Sequence, residues 1–189
     1  MTARSKRRMM LHAVATIAVI AAAAGLWHHL PTPSDVYRPF DVRGDIGDQV
    51  SGRAFDLTVT GVRVGQQTQA PRSRPVPAVG EWVLVDADLR ATSEVVVPRA
   101  ELLVGPNTYI PSDRFQFVQL GAALAPLITQ QGSWAFDVDP GLLTPDADLT
   151  LRVWSGDVRF DSRLVVDIPF SDAVREPGAL RLSRTRESA

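Results

Sequence analysis

The chain has 189 residues and a formal net charge of −1, a length that suits one domain with a real core. It contains no cysteine, which excludes disulfides, thiolate catalysis and cysteine-bound metals. Four of its 20 basic residues precede position 9, so 16 arginines are scattered among 21 acids in the rest of the chain. Because no run collects this basic charge, nucleic acid is not an expected partner.

The N-terminal segment joins a basic cluster at positions 4–8 to an apolar run at 9–27 that carries no formal charge. A membrane-spanning helix needs about 17–25 apolar residues, and a removable signal peptide needs about 7–15. A retained anchor and a cleaved signal therefore both fit this run. Leu26 and Trp27 extend the apolar stretch past the alanines that resemble a cleavage site, which favours the anchor.

The predicted topology follows from the positive charge of the short N-terminal side, which keeps that side in the cytoplasm. We expect a cytoplasmic basic segment over residues 1–10 and a transmembrane signal anchor over residues 11–30 that lies in the lipid bilayer. Residues 31–44 contain three prolines and are predicted to form a non-helical spacer, since proline has no amide donor. The C-terminal domain is then extracytoplasmic, and the chain is expected to be a single-pass protein of the cell membrane.

Beyond the spacer, apolar residues recur at every second position. In EWVLVDADLRAT, the apolar Val83, Val85 and Leu89 alternate with Asp86 and Asp88, the pattern of a half-buried strand. Further strands are predicted by the same alternation, or by a Gly-Pro turn between two short apolar stretches, at 55–64, 100–104, 107–110, 134–139, 149–154 and 164–170. The phase of the alternation slips at Gly61, which indicates a β-bulge.

Six to eight short strands separated by turn residues indicate an all-β fold. We predict an immunoglobulin-like antiparallel β-sandwich over residues 45–170, preceded by one N-terminal transmembrane helix. Residues 65–80 carry three prolines and no apolar period, so a long loop is expected there. Residues 171–189 are expected to form a mostly solvated C-terminal tail, with a marginal edge strand at ALRLS, residues 179–183, as the alternative.

The order of the segments RAFDLTVTGVRVG, GEWVLVDADLRAT, NTYIPSDRF, GSWAFDVDP and DSRLVVDIP resembles a group of actinobacterial exported or membrane-anchored proteins of unknown function. The outer domain of that group is similar to the telokin-like, immunoglobulin-like domain of many secreted bacterial proteins. The resemblance covers about residues 45–170. It implies a fold and a location outside the cytoplasm, and no catalytic residue.

Catalytic chemistry is sparse in the predicted outer domain. All three histidines, at positions 12, 28 and 29, belong to the N-terminal segment or its edge, which excludes a serine-histidine-acid hydrolase and a histidine-bound zinc in the outer domain. The Asp-x-Asp pairs at 86/88 and 137/139 offer paired carboxylates for glycoside hydrolysis, but alternating acids are also the usual polar face of an antiparallel strand. We therefore expect no enzyme, no cofactor and no metal.

The connection YIPSDRFQF contains the best candidate for a binding site. Asp113, Arg114 and Phe115 combine an acid, a five-donor cation and an aromatic ring in one loop, a mixture suited to a contact patch. The alternative is a local turn in which Ser112 or Asp113 caps the backbone.

The predicted function is a non-catalytic binding or scaffolding module in the cell envelope, with an envelope protein as partner. An accessory subunit of a membrane transport or secretion complex fits the same features. The alternative is a secreted protein with a cleaved signal and an aspartate-based cell-wall glycoside hydrolase activity.

Overall fold

The computed structural model describes residues 3–29, 39–157 and 161–188. The chain divides into two compact units, Met1–Arg38 and Pro39–Ala189. Residues 31–38 of the predicted spacer lie outside the described residues.

In the first unit, the described residues Ala3–His29 form a helix, α1. Within it the Thr16 hydroxyl donates a hydrogen bond to the carbonyl oxygen of His12 at 2.9 Å. In the described part of the chain, no helix combines the length and the apolar character that crossing a membrane requires. The transmembrane anchor predicted at 11–30 is therefore not supported. Alanine, which fills much of this run, has one methyl group and buries little apolar area.

The second unit is built from β-strands, with single turns of 3-10 helix between some of them. The strands are β1 (Phe40–Asp45), β2 (Gln49–Ser51), β3 (Phe55–Gln69), β4 (Val76–Ala91), β5 (Pro98–Val104), β6 (Asn107–Tyr109), β7 (Thr129–Val138), β8 (Asp148–Ser155), β9 (Ser162–Pro169), β10 (Val174–Arg175), β11 (Leu180–Arg181) and β12 (Arg186–Ser188). The 3-10 turns are Asp113–Phe115, Pro140–Leu142 and Phe170–Asp172.

The strands form two sheets. One has the order β1-β9-β8-β5-β6, and the other has the order β10-β3-β4-β7-β12, with β2 and β11 also paired to β3. The predicted two-sheet, mostly β architecture is confirmed. Three edge pairs are parallel instead of antiparallel, namely β1 with β9 and both β10 and β11 with β3. These edge strands reach their partners over long connections, so no hairpin fixes their direction.

The main core lies between the two sheets and follows the predicted alternation. From β4, Val83, Val85 and Leu89 are fully buried, and from β7 Trp134 and Phe136 join them. Their counterparts from the five-stranded sheet are Leu102, Leu149, Leu151, Val153, Leu164, Val166 and Ile168. Each such side chain contributes about 1.5–3 kcal/mol when it is fully buried.

The bulge predicted at Gly61 is confirmed. The pairing of β3 with β4 shifts register between Val59 and Gly61, and a second shift, which was not predicted, lies between Gly65 and Gln67. The first shift leaves Thr60 outside the register, exposed on the outer face of the seven-stranded sheet.

The loop predicted at 65–80 is mostly a β-hairpin. β3 continues to Gln69 and β4 begins at Val76, with Gln67 paired to Pro77 and Thr68 to Val76. Proline is tolerated at this place because the extension of β4 has no strand on its other side, so the missing amide costs no ladder hydrogen bond.

The boundaries predicted for the ends of the domain are also wrong. Residues 40–44 belong to β1, which pairs with β9, instead of to a spacer. Residues 171–189 were expected to be solvated, but β10 and β11 pair with β3 and β12 pairs with β7. Leu180 and Leu182 are 0% and 1% exposed, because they cover apolar side chains on the outer face of the seven-stranded sheet.

Candidate functional site

The three predicted contact residues are divided between the surface and the core. Asp113 and Arg114 are exposed. Phe115 is 3% exposed and packs edge-on against Trp82, with ring centroids 5.2 Å apart. Phe115 is thus a core residue and is not available to a partner, because the apolar outer face of the sheet under it favours burial of an aromatic ring.

The connection that carries Arg114 is fixed to two strands. The Ser112 hydroxyl accepts a hydrogen bond from the Arg114 amide at 3.4 Å, so the turn that the sequence offered as an alternative is present. The Ser112 amide donates to the Ala135 carbonyl at 2.8 Å, and Arg114 Nη1 donates to the Pro77 carbonyl at 3.3 Å. The guanidinium of Arg114 is therefore held beside the first residues of β4.

Strongly exposed apolar side chains flank this connection. Phe117 is 92% exposed, Ile110 is 76% exposed, and Val79, two residues beyond Pro77, is 89% exposed. Val79 also lines an open cavity of about 470 Å³ together with Tyr109 and Pro140. We call Val79, Tyr109, Ile110, Phe117 and Pro140 the apolar rim.

Two carboxylates and one glycine hold part of this rim in place. The carboxylate of Asp137 accepts hydrogen bonds from the amides of Val79 at 2.9 Å and Gly80 at 2.8 Å. Asp139 Oδ1 accepts from the Gly141 amide at 2.9 Å. A Cβ at position 80 would lie 2.1 Å from the Val138 carbonyl oxygen, so only glycine fits there. Asp137 and Asp139 therefore both accept hydrogen bonds from backbone amides.

A second surface runs across the outer face of the seven-stranded sheet. Three open cavities of about 380, 340 and 230 Å³ follow one another there, because Ser183 lines the first two and Asp88 lines the last two. We call this surface the arginine trough. Its charged lining residues are Arg63, Arg72, Arg90, Arg181, Arg184 and Arg186 with Asp56, Asp86 and Asp88.

The floor of the trough carries a closed network of charges. Arg63 Nε and Nη2 each donate to a different oxygen of Asp86 at 2.7 Å, and the Ser133 hydroxyl donates to the same carboxylate. The hydrogen bonds that Arg63 donates to the Asp86 carboxylate raise the pKa of Arg63 above its ordinary value. Asp88 accepts a hydrogen bond from Gln131 Nε2 at 3.2 Å. The carboxylates of Asp86 and Asp88 thus both accept hydrogen bonds from neighbouring side chains.

The arginines of the C-terminal segment are different. Arg184 and Arg186 are exposed and line the central cavity. Across residues 39–157 and 161–188, neither guanidinium has a carboxylate partner. Their hydrogen-bond donors therefore face solvent in the trough.

The carboxylates whose pKa values are shifted lie elsewhere, at one edge of the five-stranded sheet. Two hydrogen bonds from Arg163, of 2.8 and 3.0 Å, hold the pKa of Asp41 below its ordinary value of 3.8. A hydrogen bond of 2.9 Å from Arg53 likewise lowers the pKa of Asp161. Among the described residues, no group of three His, Cys, Asp or Glu side chains is placed to hold a metal ion.

Comparison with known proteins identifies a fold. No protein-family model matches the chain, and no curated protein sequence matches it. A "putative lipoprotein" from Bacillus subtilis is 12% identical over 68% of this chain with a TM-score of 0.50, and the match covers 40% of that protein. An uncharacterized β-sandwich protein from Clostridium difficile is 14% identical over 68% of this chain and 95% of its own, with a TM-score of 0.42.

At such low identity the likeness to the Bacillus subtilis protein shows the fold alone. The match spans well under half of that protein's length, 40%. The resemblance to actinobacterial proteins with a telokin-like domain, and the immunoglobulin-like assignment, stay predictions.

Sequence reasoning missed both surfaces. Ile110 and Phe117 lie in the connection YIPSDRFQF, which contains the predicted contact residues. The available signal was that each is an apolar residue outside any alternating pattern. The arginines of the trough come from β3, the β3–β4 turn, β4 and the C-terminal segment, so no local run of charge announces them.

Proposed function

We propose that this protein is a non-catalytic binding module of the cell envelope, whose extracytoplasmic β-sandwich contacts a protein partner through the apolar rim and Arg114. The observation that carries the proposal is the exposure of Phe117, Val79 and Ile110, at 92%, 89% and 76%. Exposed apolar side chains that lie close together are typical of interaction sites, and Ile110 and Phe117 belong to the connection that Arg114 joins to Pro77, two residues before Val79. An arginine beside them fits, because arginine and aromatic residues are enriched at protein interfaces.

Location in the envelope is supported by the N-terminal segment. Basic residues at positions 4–8 followed by an uncharged apolar run are typical of segments that direct export. The Bacillus subtilis protein of similar fold is described as a "putative lipoprotein". In this proposal the partner is another envelope protein, such as a subunit of a transport or secretion complex.

The contacts of the paired aspartates support a non-catalytic role. A glycosidase needs a carboxylate that can reach the scissile bond as acid or nucleophile. Asp86 already accepts three hydrogen bonds from Arg63 and Ser133. Both oxygens of Asp137 are bound to backbone amides. These contacts favour binding over the hydrolase alternative.

The test uses the full-length protein and two variants, Phe117→Ser and Arg114→Ala, captured from cells that express them. We expect both to lose a discrete protein partner identified by mass spectrometry, with Tm within about 2 °C of wild type, because exposed side chains contribute little to stability. The matched control is Val95→Ser, which changes another exposed apolar residue, 64% exposed on the β4–β5 connection.

Capture of the partner by all variants alike would show that the rim is not the contact surface. Measurable hydrolysis of cell-wall polysaccharide by the purified wild-type protein would replace the proposal with the enzyme alternative.

A further inference from the structure

We propose that the arginine trough is a second binding site, for an anionic polysaccharide that bears carboxylate groups. This inference is independent of the protein contact at the apolar rim, since it rests on different residues. It begins with charge. Six arginines and three aspartates line the trough, whereas the whole chain has a formal net charge of −1. The fold therefore concentrates positive charge on one face of a mildly acidic protein, and such a face attracts anions.

Part of this charge is available to a ligand. Asp86 and Arg63 neutralise each other at the floor. Arg184 and Arg186 have no acidic partner among the described residues, so their guanidinium groups can each donate two hydrogen bonds to one carboxylate. An anionic group would bind against this pair.

The length of the trough favours a polymer. Neighbouring cavities share Ser183 and Asp88 as lining residues, so the three open cavities lie next to one another along the surface. Arg72 and Arg181 lie in one end cavity and Arg90 lies in the other. Repeated anionic groups along a chain would meet positive charge in all three cavities.

The remaining lining suits hydroxyl groups. Short hydroxyl side chains, among them Thr58, Thr60 and Ser183, each offer one donor and two lone pairs. The carboxylate of Asp88 can accept from a ligand hydroxyl beside its contact with Gln131. A ligand with both hydroxyl and carboxylate groups satisfies this lining, and an acidic sugar chain has both.

Two other anionic polymers fit less well. An acidic peptide would bind most readily as an added strand at a sheet edge, but the trough lies on a sheet face where β3, β4 and β7 already pair with one another. Single-stranded nucleic acid is usually held by stacking on aromatic side chains, and no aromatic residue lines the trough in the described part of the chain.

The experiment measures binding of the full-length protein, in mild detergent, to polygalacturonate, with neutral dextran, poly-L-glutamate and oligo-dT as comparison polymers. We expect polygalacturonate alone to bind well and its affinity to fall with added salt. The double variant Arg184→Gln with Arg186→Gln should bind about tenfold more weakly, since two exposed charge contacts are removed. Thr60→Val should weaken binding severalfold without changing Tm.

The matched control is Arg43→Gln with Arg99→Gln, which removes the same charge from two exposed arginines outside the trough and should bind polygalacturonate like wild type. Equal loss in this control would show that net charge alone acts, and would overturn the site. Equal or tighter binding of poly-L-glutamate or oligo-dT would overturn the ligand class. Absence of binding to polygalacturonate would overturn the proposal outright, whatever the capture of a protein partner at the rim shows.

Discussion

The outer face of the seven-stranded sheet has a covered half and an open half, and the same strands form both. In the covered half, Trp82, Leu84 and Ala135 are buried under Phe115 and the leucines of the C-terminal segment. In the open half, the next outward positions of β4 and β7 are Asp86, Asp88, Gln131 and Ser133, and they line the arginine trough. The change from apolar to polar occurs within one step of β4, between Leu84 and Asp86.

One face of the sheet can therefore serve both stability and binding. Apolar side chains gain about 25 cal/mol per Å² when they leave water, so the connection after β6 and the C-terminal segment fold back over the covered half. Polar side chains gain nothing by being covered unless every group finds a partner. The open half therefore stays accessible, and a ligand can use it.

The largest expected effect is in the covered half. Trp82 is 0% exposed, and its indole Nε1 donates to the Val76 carbonyl at 3.0 Å. Trp82→Ala should lower the free energy of unfolding by about 3–5 kcal/mol, since it removes a large buried ring and leaves a cavity. Urea denaturation measures this. A loss below about 1 kcal/mol would mean that this half is not a core.

The C-terminal segment should depend on the leucine that anchors it. Leu180→Ala should cost about 2–3 kcal/mol and make Arg184 and Arg186 more accessible to trypsin, because the apolar contact that holds β11 to β3 is lost. The control is Val174→Ala in the same segment, where the side chain is 60% exposed and the change should stay within about 0.5 kcal/mol. Equal cleavage rates in the two variants would contradict the covered half as described.

At the boundary between the halves, Asp86→Asn should cost about 1–3 kcal/mol, because Arg63, whose side chain is 22% exposed, loses the charged acceptor of two of its hydrogen bonds. Asp88→Asn keeps the hydrogen-bonding shape and removes no ion pair, so its cost should stay within about 0.5 kcal/mol. Chemical denaturation of both variants compares them. Equal losses would show that the Arg63–Asp86 network has no special structural role.

A smaller effect should appear with pH, at the edge of the other sheet. Because the pKa of Asp41 is lowered in the folded state, its contact with Arg163 stabilises the protein above the unfolded pKa of about 3.9 and the contribution is lost as pH falls through the folded value. Between pH 5 and pH 3, wild type should therefore lose more stability than Asp41→Asn. Thermal unfolding at several pH values measures this. The same dependence of stability on pH in both proteins would show that Asp41 does not contribute.

The sequence predicted the central strands because β4 and β7 alternate strictly, and it located the bulge because the alternation slips at Gly61. It indicated β11 only as a marginal edge strand at ALRLS, and it did not predict β10 or β12. Leu180 pairs with Thr68, and Leu180 and Leu182 belong to the same apolar cluster as Trp82 and Leu84, more than 90 positions away. Two leucines in a segment with one proline and four arginines carry only a weak periodic signal.

The candidate site shows the same limit. Phe115 and Phe117 are two positions apart in one connection and look alike in the sequence. Phe115 is buried because Trp82 lies beneath it, whereas Phe117 is 92% exposed. Which ring faces outward depends on a contact across the sheet, and no local pattern contains it. The trough likewise exists only after distant strands have brought scattered arginines together.

The most direct test of the apolar rim as a protein-binding surface is photo-crosslinking of the full-length protein in the cells that express it. A photoreactive phenylalanine analogue is placed at Phe117 in one variant and at the exposed control position Val95 in another. We expect one discrete crosslinked protein from position 117 and none from position 95. No crosslinked protein from position 117, or the same products from both positions, would contradict the claim that the apolar rim is a protein-binding surface.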